Sequence, residues 1–263
     1  MKTTITLAIL TLTSFFSFSQ IKKPKNMSFV PMGTIVVKND TTTKKISIDA
    51  FWMSEEVTNK EYREFINSLK NNPNDSIGII DFNKFKETKN KKEALKLYSY
   101  RDILANVIDT SVWNSDKNLK NYFTDKKFDD YPVVGVTFLN AVLYCCWKTK
   151  MENEINKNKG LLNVMVNRLP TETEWEYAAR NSPDAQTKKI TKAKSGKKNA
   201  FGLYNLNDNV SEWTSSTSEN GEIIIKGSSW KTERKLNERV LVKPEFRDNA
   251  TGFRIVKSYV KEK

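Results

Sequence analysis

Arg168-Leu-Pro-Thr-Glu-Thr-Glu-Trp-Glu-Tyr-Ala-Ala-Arg180 is the stretch on which the reading of the fold turns. Thr171 stands three residues before Glu174, the spacing at which a threonine side chain and a glutamate cap a helix reciprocally. Trp175, Ala178 and Ala179 then recur on one helical face and are expected to point inward. Immediately upstream, Val164 to Val166 read as a short strand, so this segment is a strand running into a capped helix.

Two further helices are expected before it. Thr58 and Glu61 form another capping box, followed by Tyr62, Phe65, Ile66 and Leu69 on one face. Thr137 caps a helix whose inner face includes Phe138, Ala141, Val142 and Cys145. Ser28 to Gly33 suggest a strand entering a turn, and Ile46, Ile48, Ala50 and Trp52 alternate like a half-buried strand. Pro132 to Val136 read as a buried strand. Between them, residues from about Asn71 to Asp130 are lysine-rich and interrupted, with apolar islands at Ile77 to Phe85 and Tyr98 to Val112. Neither island is large enough for its own core, so the stretch reads as an insertion within one domain spanning 20–263. After the basic loop from Asn181 to Lys198, Phe201 to Trp213, Ile223 to Trp230 and Gly252 to Val256 supply turns and short strands. Helices come early and irregular tryptophan-rich segments late, without internal repeats. That order favours an α+β domain over a doubly wound sheet.

Composition narrows the function. Apolar residues make up 38% of the 263 and aromatics 11%, enough for a buried core. The net charge of +13 raises the question of nucleic acid. Lysine greatly outnumbers arginine, however, and arginine is the residue that reads bases bidentately, so no nucleic-acid partner is expected. The chain has no histidine, which removes His-based general-base catalysis, Ser-His-Asp triads and imidazole metal sites. Its only cysteines, Cys145 and Cys146, are adjacent and ill-placed for a disulfide framework. Lys2 followed by the apolar run Ile5 to Phe18, with Ser17 and Ser19 at small-residue positions, reads as a signal peptide over residues 1–19. The run is short for a span, an uncleaved anchor being the alternative, and no second candidate span follows. With no cysteine at the cleavage point the chain does not read as a lipoprotein. A periplasmic or outer-membrane-associated location is expected.

Three segments together carry a resemblance. Arg168 to Arg180, Tyr131-Pro-Val-Val-Gly-Val-Thr137 with Ala141, Tyr144, Cys145 and Trp147, and Phe201-Gly-Leu-Tyr-Asn-Leu-Asn-Asp-Asn-Val-Ser-Glu-Trp213 resemble the formylglycine-generating-enzyme, or sulfatase-modifying-factor, domain family. Weaker matches at Phe29 to Gly33, Phe51 to Tyr62, Lys226 to Trp230 and Gly252 to Arg254 stand in the same order. The resemblance implies a compact fold related to C-type lectins, with Trp175, Trp213 and Trp230 in the core. It also implies buried Arg168, Arg180 and Arg254 paired with Glu174 or Glu212, since a buried guanidinium needs such a partner.

Members of the family that act as oxidases bind copper through two cysteines just after a Gly-Gly-Ser-Trp motif. Here that place reads Gly227-Ser-Ser-Trp-Lys-Thr-Glu-Arg234, without cysteine. The related sulfoxide synthases use histidine-bound iron. Neither copper nor iron is therefore expected, because hydroxyls and amines do not replace soft thiolate ligands, and no catalytic residue is assigned. The resemblance implies one surviving ligand site, a structural calcium held by oxygens of Asp208, Asn209, Val210 and Glu212. A turn held by its own hydrogen bonds stands as the equal alternative. The run Asn121 to Val136 and the insertion after the first helix resemble the GldK, GldJ and PorK proteins of type IX secretion and gliding. That implies a non-catalytic structural or interaction protein whose partners are envelope proteins, including secretion or gliding components. A divergent enzyme, or a module holding a peptide or glycan in a lectin-like groove near Trp230 to Arg254, is the alternative.

Overall fold

The computed structural model describes residues 23–38, 43–80, 84, 87–159, 165–184 and 188–259. The expected signal peptide lies outside these residues. In chain order the elements are β1 (Met27–Val30), β2 (Gly33–Lys38), β3 (Thr43–Ile48), β4 (Phe51–Glu56), α1 (Asn59–Asn71), β5 (Ser76–Ile80), α2 (Lys91–Ala94), β6 (Leu95–Ser99) and α3 (Tyr100–Ala105). They continue with α4 (Phe138–Asn158), β7 (Met165–Arg168), α5 (Glu172–Ala178), β8 (Ser211–Thr217), β9 (Ile223–Lys226), β10 (Val240–Val242), β11 (Thr251–Gly252) and β12 (Arg254–Tyr259). The class is α+β, as the order of elements in the sequence implies.

Both expected capping boxes form, Thr58 with Glu61 at α1 and Thr171 with Glu174 at α5, and the Thr137 cap of α4 proves to be a third box, with Asn140. Each satisfies two of the N–H groups that a helix start leaves unpaired. One four-stranded antiparallel sheet runs β1–β4–β12–β7, so the last strand lies between two much earlier ones. A second runs β10–β9–β8–β11, with β11 parallel to β8. α1 and α4 share an aromatic core in which Tyr62 stacks on Tyr144 at 5.7 Å and both meet Phe253 edge-on.

Two expected strands are corrected. The alternation from Ile46 to Trp52 is not one strand: β3 ends at Ile48, and β4 restarts at Phe51 with Phe51 and Met53 buried. The two intervening residues reset the alternation, so Trp52 lies on the opposite face. Pro132 to Val136 is buried but makes only an isolated bridge with Thr58. Its backbone is satisfied by loops instead, Val133 N–H donating to Val57 O and Gly135 N–H to Asp248 O. Gly135 sits at φ +76°, and a Cβ there would stand 2.3 Å from Asp109 O, a geometry incompatible with continuing a strand.

The insertion is stitched into the common core. Ile77 of β5, with Tyr100 and Ile103 of α3, joins the α1–α4 cluster. Trp113, Tyr122 and Phe128 form a third cluster with Val134, Ile190 and Val210. Asn59, at the start of α1, donates through Nδ2 to Tyr122 O and Phe128 O, tying the end of the insertion to the helix. No helix among the described residues is long and apolar enough to cross a membrane.

Candidate functional site

The segment before β8 makes a tight turn. Asn205 and Asn209 both take positive φ, at 57° and 64°, a region that asparagine tolerates better than most residues. This turn delivers two asparagine amides to the end of β4. Asn205 Nδ2 donates to Glu56 Oε2 at 3.0 Å, and Asn209 Nδ2 donates to both oxygens at 3.0 and 3.1 Å. One residue into β8, Glu212 is fully buried and its carboxylate faces Arg254 at the start of β12. Arg254 Nε and Nη2 donate to the Glu212 oxygens at 2.7–2.9 Å, and the remaining donors reach Ser54 O and Tyr204 O at 3.0 Å. Trp175 Nε1 adds a 2.7 Å bond to Glu212 Oε2. Three carboxyl groups, Glu55, Glu56 and Glu212, thus surround one guanidinium.

This arrangement sets the roles of the four residues offered to calcium. Glu212 is turned inward, and both its oxygens are engaged by Arg254 and Trp175. The Asn209 amide bridges Glu56 and Thr191, its Oδ1 accepting the Thr191 N–H at 2.8 Å. Asp208 Oδ1 accepts the Asn209 N–H at 2.8 Å, and the Val210 side chain is buried in the third apolar cluster. Among the described residues no three Asp, Glu or Cys side chains gather as a metal cage. The pairing of Arg168 with Glu174 forms at 2.6 Å, but Arg180 is exposed over the Tyr177 ring and pairs with neither glutamate, which corrects its expected burial. It lies two residues beyond the end of α5, past the buried Ala178 and Ala179.

Burial pushes the Glu56 carboxyl well above its ordinary value, against the pull of Arg254. A carboxyl raised in the folded state contributes stability that is complete below about pH 4.5 and is lost as pH rises through its folded value. Wild-type stability is therefore expected to fall on the alkaline side, and Glu56→Gln to flatten that limb. Urea midpoints from pH 4 to 9 check this; parallel pH profiles for both proteins would refute it.

The stretch from Gly227 to Arg234, at which the resembled oxidases carry copper cysteines, is closed by its own side chains. Ser228 N–H and Oγ meet Asn207 Oδ1, and Ser228 Oγ also donates to Arg234 O at 3.0 Å. Ser229 Oγ accepts the Thr232 N–H, and Arg234 Nη1 reaches back to Ser211 Oγ at 2.8 Å. Trp230 is half-buried, stacked on Trp113 at 6.0 Å and 13°. Hydroxyls and a guanidinium occupy the place of thiolates, so the residues present do not fit a copper ion.

Both cysteines lie on α4. Burial pushes the Cys145 thiol well above its ordinary value, with adjacent Cys146 adding to the effect, and burial also raises Cys146. Thiolate, the nucleophilic form, is suppressed in both. DTNB at pH 8 is expected to find no fast thiol in the native protein and both thiols in guanidinium; a rapid native thiol would refute the suppression of thiolate at these positions.

A cleft of about 760 Å³ opens between β4, α1, α4 and residues 192–194, and a shallower one of about 500 Å³ lies along α4 beside β7. Neither draws a lining residue from Gly227 to Arg234. Glu55 and Glu56, which line the larger cleft, carried no site assignment in the sequence. The one available signal was their position directly before the Val-Thr-Asn that opens α1.

Residues 14–189 and 182–259 match the sulfatase-modifying factor enzyme 1-like domain. The chain is 25% identical over 227 residues to the inactive C-alpha-formylglycine-generating enzyme 2 of Bos taurus, covering 73% of this chain and 67% of that protein. It is 24% identical to the formylglycine-generating enzyme of Bos taurus, covering 73% of this chain and 58% of that one. The structure of PvdO from Pseudomonas aeruginosa superimposes with a TM-score of 0.56 at 17% identity, over 88% of this chain and 93% of that one.

Proposed function

This chain belongs to the sulfatase-modifying factor enzyme 1-like domain family, and within it we propose a non-catalytic structural or interaction protein of the cell envelope, a GldK/GldJ-like paralogue linked to type IX secretion or gliding. The observation that carries the reading is the closed Gly227 to Arg234 segment. Ser228, Ser229 and Arg234 hold one another and Ser211 where the family's oxidases place copper ligands. The chain supplies no substitute, having no histidine and only two cysteines, both on α4. Similarity to a relative named as inactive supports the same reading. The link to secretion and gliding rests on the resemblance of Asn121 to Val136 and on the insertion after α1. Export through residues 1–19 to the periplasm or the outer-membrane face belongs to this proposal.

Because the family also includes a formylglycine-generating enzyme, the test has two parts. A cysteine-containing peptide incubated with the protein, Cu(I) and oxygen is expected to keep its thiol; turnover to an aldehyde would refute the non-catalytic reading. Affinity recovery of the tagged protein from mildly solubilised envelopes at native expression is expected to return type IX secretion or gliding components in stoichiometric amounts. Recovery of the protein alone would remove the link to that machinery.

A further inference from the structure

Asn220-Gly221 is the single Asn-Gly pair in the sequence, and it stands between β8 and β9 at the tip of their hairpin. Three hydrogen bonds close the tip: Ser218 N–H to Glu222 O at 2.8 Å, Gly221 N–H to Ser218 O at 3.1 Å, and Glu222 N–H to Ser218 Oγ at 3.1 Å. Gly221 takes φ +80°, as the left-handed residue of a three-residue hairpin loop does. Asn220 is exposed, and no hydrogen bond among the described residues engages its amide. A Cβ at Gly221 would meet nothing within 4 Å, so the backbone there is open to approach. Asparagines at other turns are held. Asn205 and Asn209 donate to Glu56, Asn199 to Ala178 O, and Asn207 Oδ1 accepts from Ser228. Asn114 and Asn181 are exposed, but each precedes a serine, whose side chain crowds the following nitrogen.

We propose that Asn220 is a self-modifying site, converted to aspartate and isoaspartate by attack of the Gly221 backbone nitrogen on its side-chain amide. The bond from Gly221 N to Asn220 Cγ forms, and the Cγ–Nδ2 bond breaks. Ammonia leaves with the proton that the Gly221 nitrogen gives up, and a five-membered succinimide remains. Water then adds at either ring carbonyl, opening the ring to aspartate or isoaspartate. One water enters and one ammonia leaves, so the step needs no oxidant, metal or cofactor. Glycine permits the attack because it has no Cβ to shield its nitrogen and turns freely into the ring geometry. The loop must open first, since Ser218 O holds the Gly221 N–H. That opening breaks contacts at the exposed tip alone, and such segments lie at the low end of local stability. Conversion places a third carboxylate between Glu219 and Glu222, and isoaspartate adds a methylene to the main chain within the loop. The Ser218–Glu222 closure loses its register, which leaves Thr217 opposite Ile223 as the first pair of the hairpin. The buried pair Glu212 and Lys226 lies beyond a register shift and is spared. This inference goes beyond the envelope role and does not depend on it.

The test holds the full protein at about pH 8 and 37 °C for weeks and follows every asparagine by mass mapping of proteolytic peptides. The peptide containing Asn220 is expected to change from amide to acid faster than any other. Isoaspartate, read by labelling with an isoaspartyl methyltransferase, is expected beside aspartate. Gly221→Ala should slow the conversion about tenfold or more, because its methyl group hinders the attacking nitrogen. Circular dichroism checks that this variant folds. The free peptide Ser-Glu-Asn-Gly-Glu, incubated alongside, gives the rate for an open turn and serves if the variant does not fold. Aspartate without isoaspartate would mean direct hydrolysis and would overturn the proposal. So would an intact Asn220 after the free peptide has converted, since the tip would then stay closed. Conversion no faster than at Asn114 or Asn181, or indifferent to Gly221→Ala, would overturn it equally.

Discussion

Replacing Arg254 by leucine is expected to cost about 3–5 kcal/mol of folding stability, the range for removing one partner of a buried ion pair. The Arg254 side chain has 0% exposure and Glu212 has 1%, so water does not replace what is lost. The substitution strands the Glu212 carboxylate with the Trp175 N–H as its remaining side-chain donor among the described residues, and it leaves Ser54 O and Tyr204 O short of the Arg254 donors. It also releases a clamp between β4 and β12, because Arg254 sits opposite Glu56 where the register of that pairing shifts. Urea titration at constant slope reads the loss. The double variant Arg254→Leu with Glu212→Leu should recover part of it, since removing both charges removes the uncompensated one. A loss below about 1 kcal/mol in the single variant would place the pair among ion pairs of little consequence.

Trp175→Ala is expected to cost a similar amount, about 3–5 kcal/mol, for a different reason. The indole is fully buried at 0% exposure on α5, a helix of seven residues. Helices this short are not stable alone and depend on tertiary packing. Trp175 provides that packing: a Cβ at Gly227 would stand 2.9 Å from its Cζ2, so the indole lies directly against the β9 exit. Truncation opens a cavity and removes the 2.7 Å donor to Glu212. Trp175→Phe keeps most of the ring volume and loses the N–H, so the difference between the variants separates packing from hydrogen bonding. Equal losses in both would mean that the hydrogen bond, not the volume, holds α5 in place.

Local features were legible where their partners are close in sequence. The caps of α1, α4 and α5 each need a side chain three residues from its partner, and all three formed as read. The inward faces containing Tyr62, Phe65, Trp175, Ala178 and Ala179 followed from helical spacing. Failures came where spacing is ambiguous. The alternation across Ile46 to Trp52 hid a two-residue turn, and the buried run Pro132 to Val136 looked like a strand until Gly135 took its left-handed backbone. Trp230 was expected in the core and is half-buried, stacked on Trp113 from the insertion, a contact that no local pattern encodes.

By itself, then, the sequence determined the α+β class, the capped helices, the family, and the lack of histidine and of cysteines beyond α4, because these depend on residue identity and short-range periodicity. The tertiary structure decided which charges meet. Arg254 chose Glu212, Arg180 was left exposed, and Glu56 drew its amide donors from Asn205 and Asn209, the latter 153 residues away. It also tied Asn209 to Glu56 and Thr191 and closed the Gly227 to Arg234 segment. The physical reason is common to all of them: a buried charge takes the nearest partner that the packed backbone presents, and that proximity is set by sheet order rather than by distance along the chain.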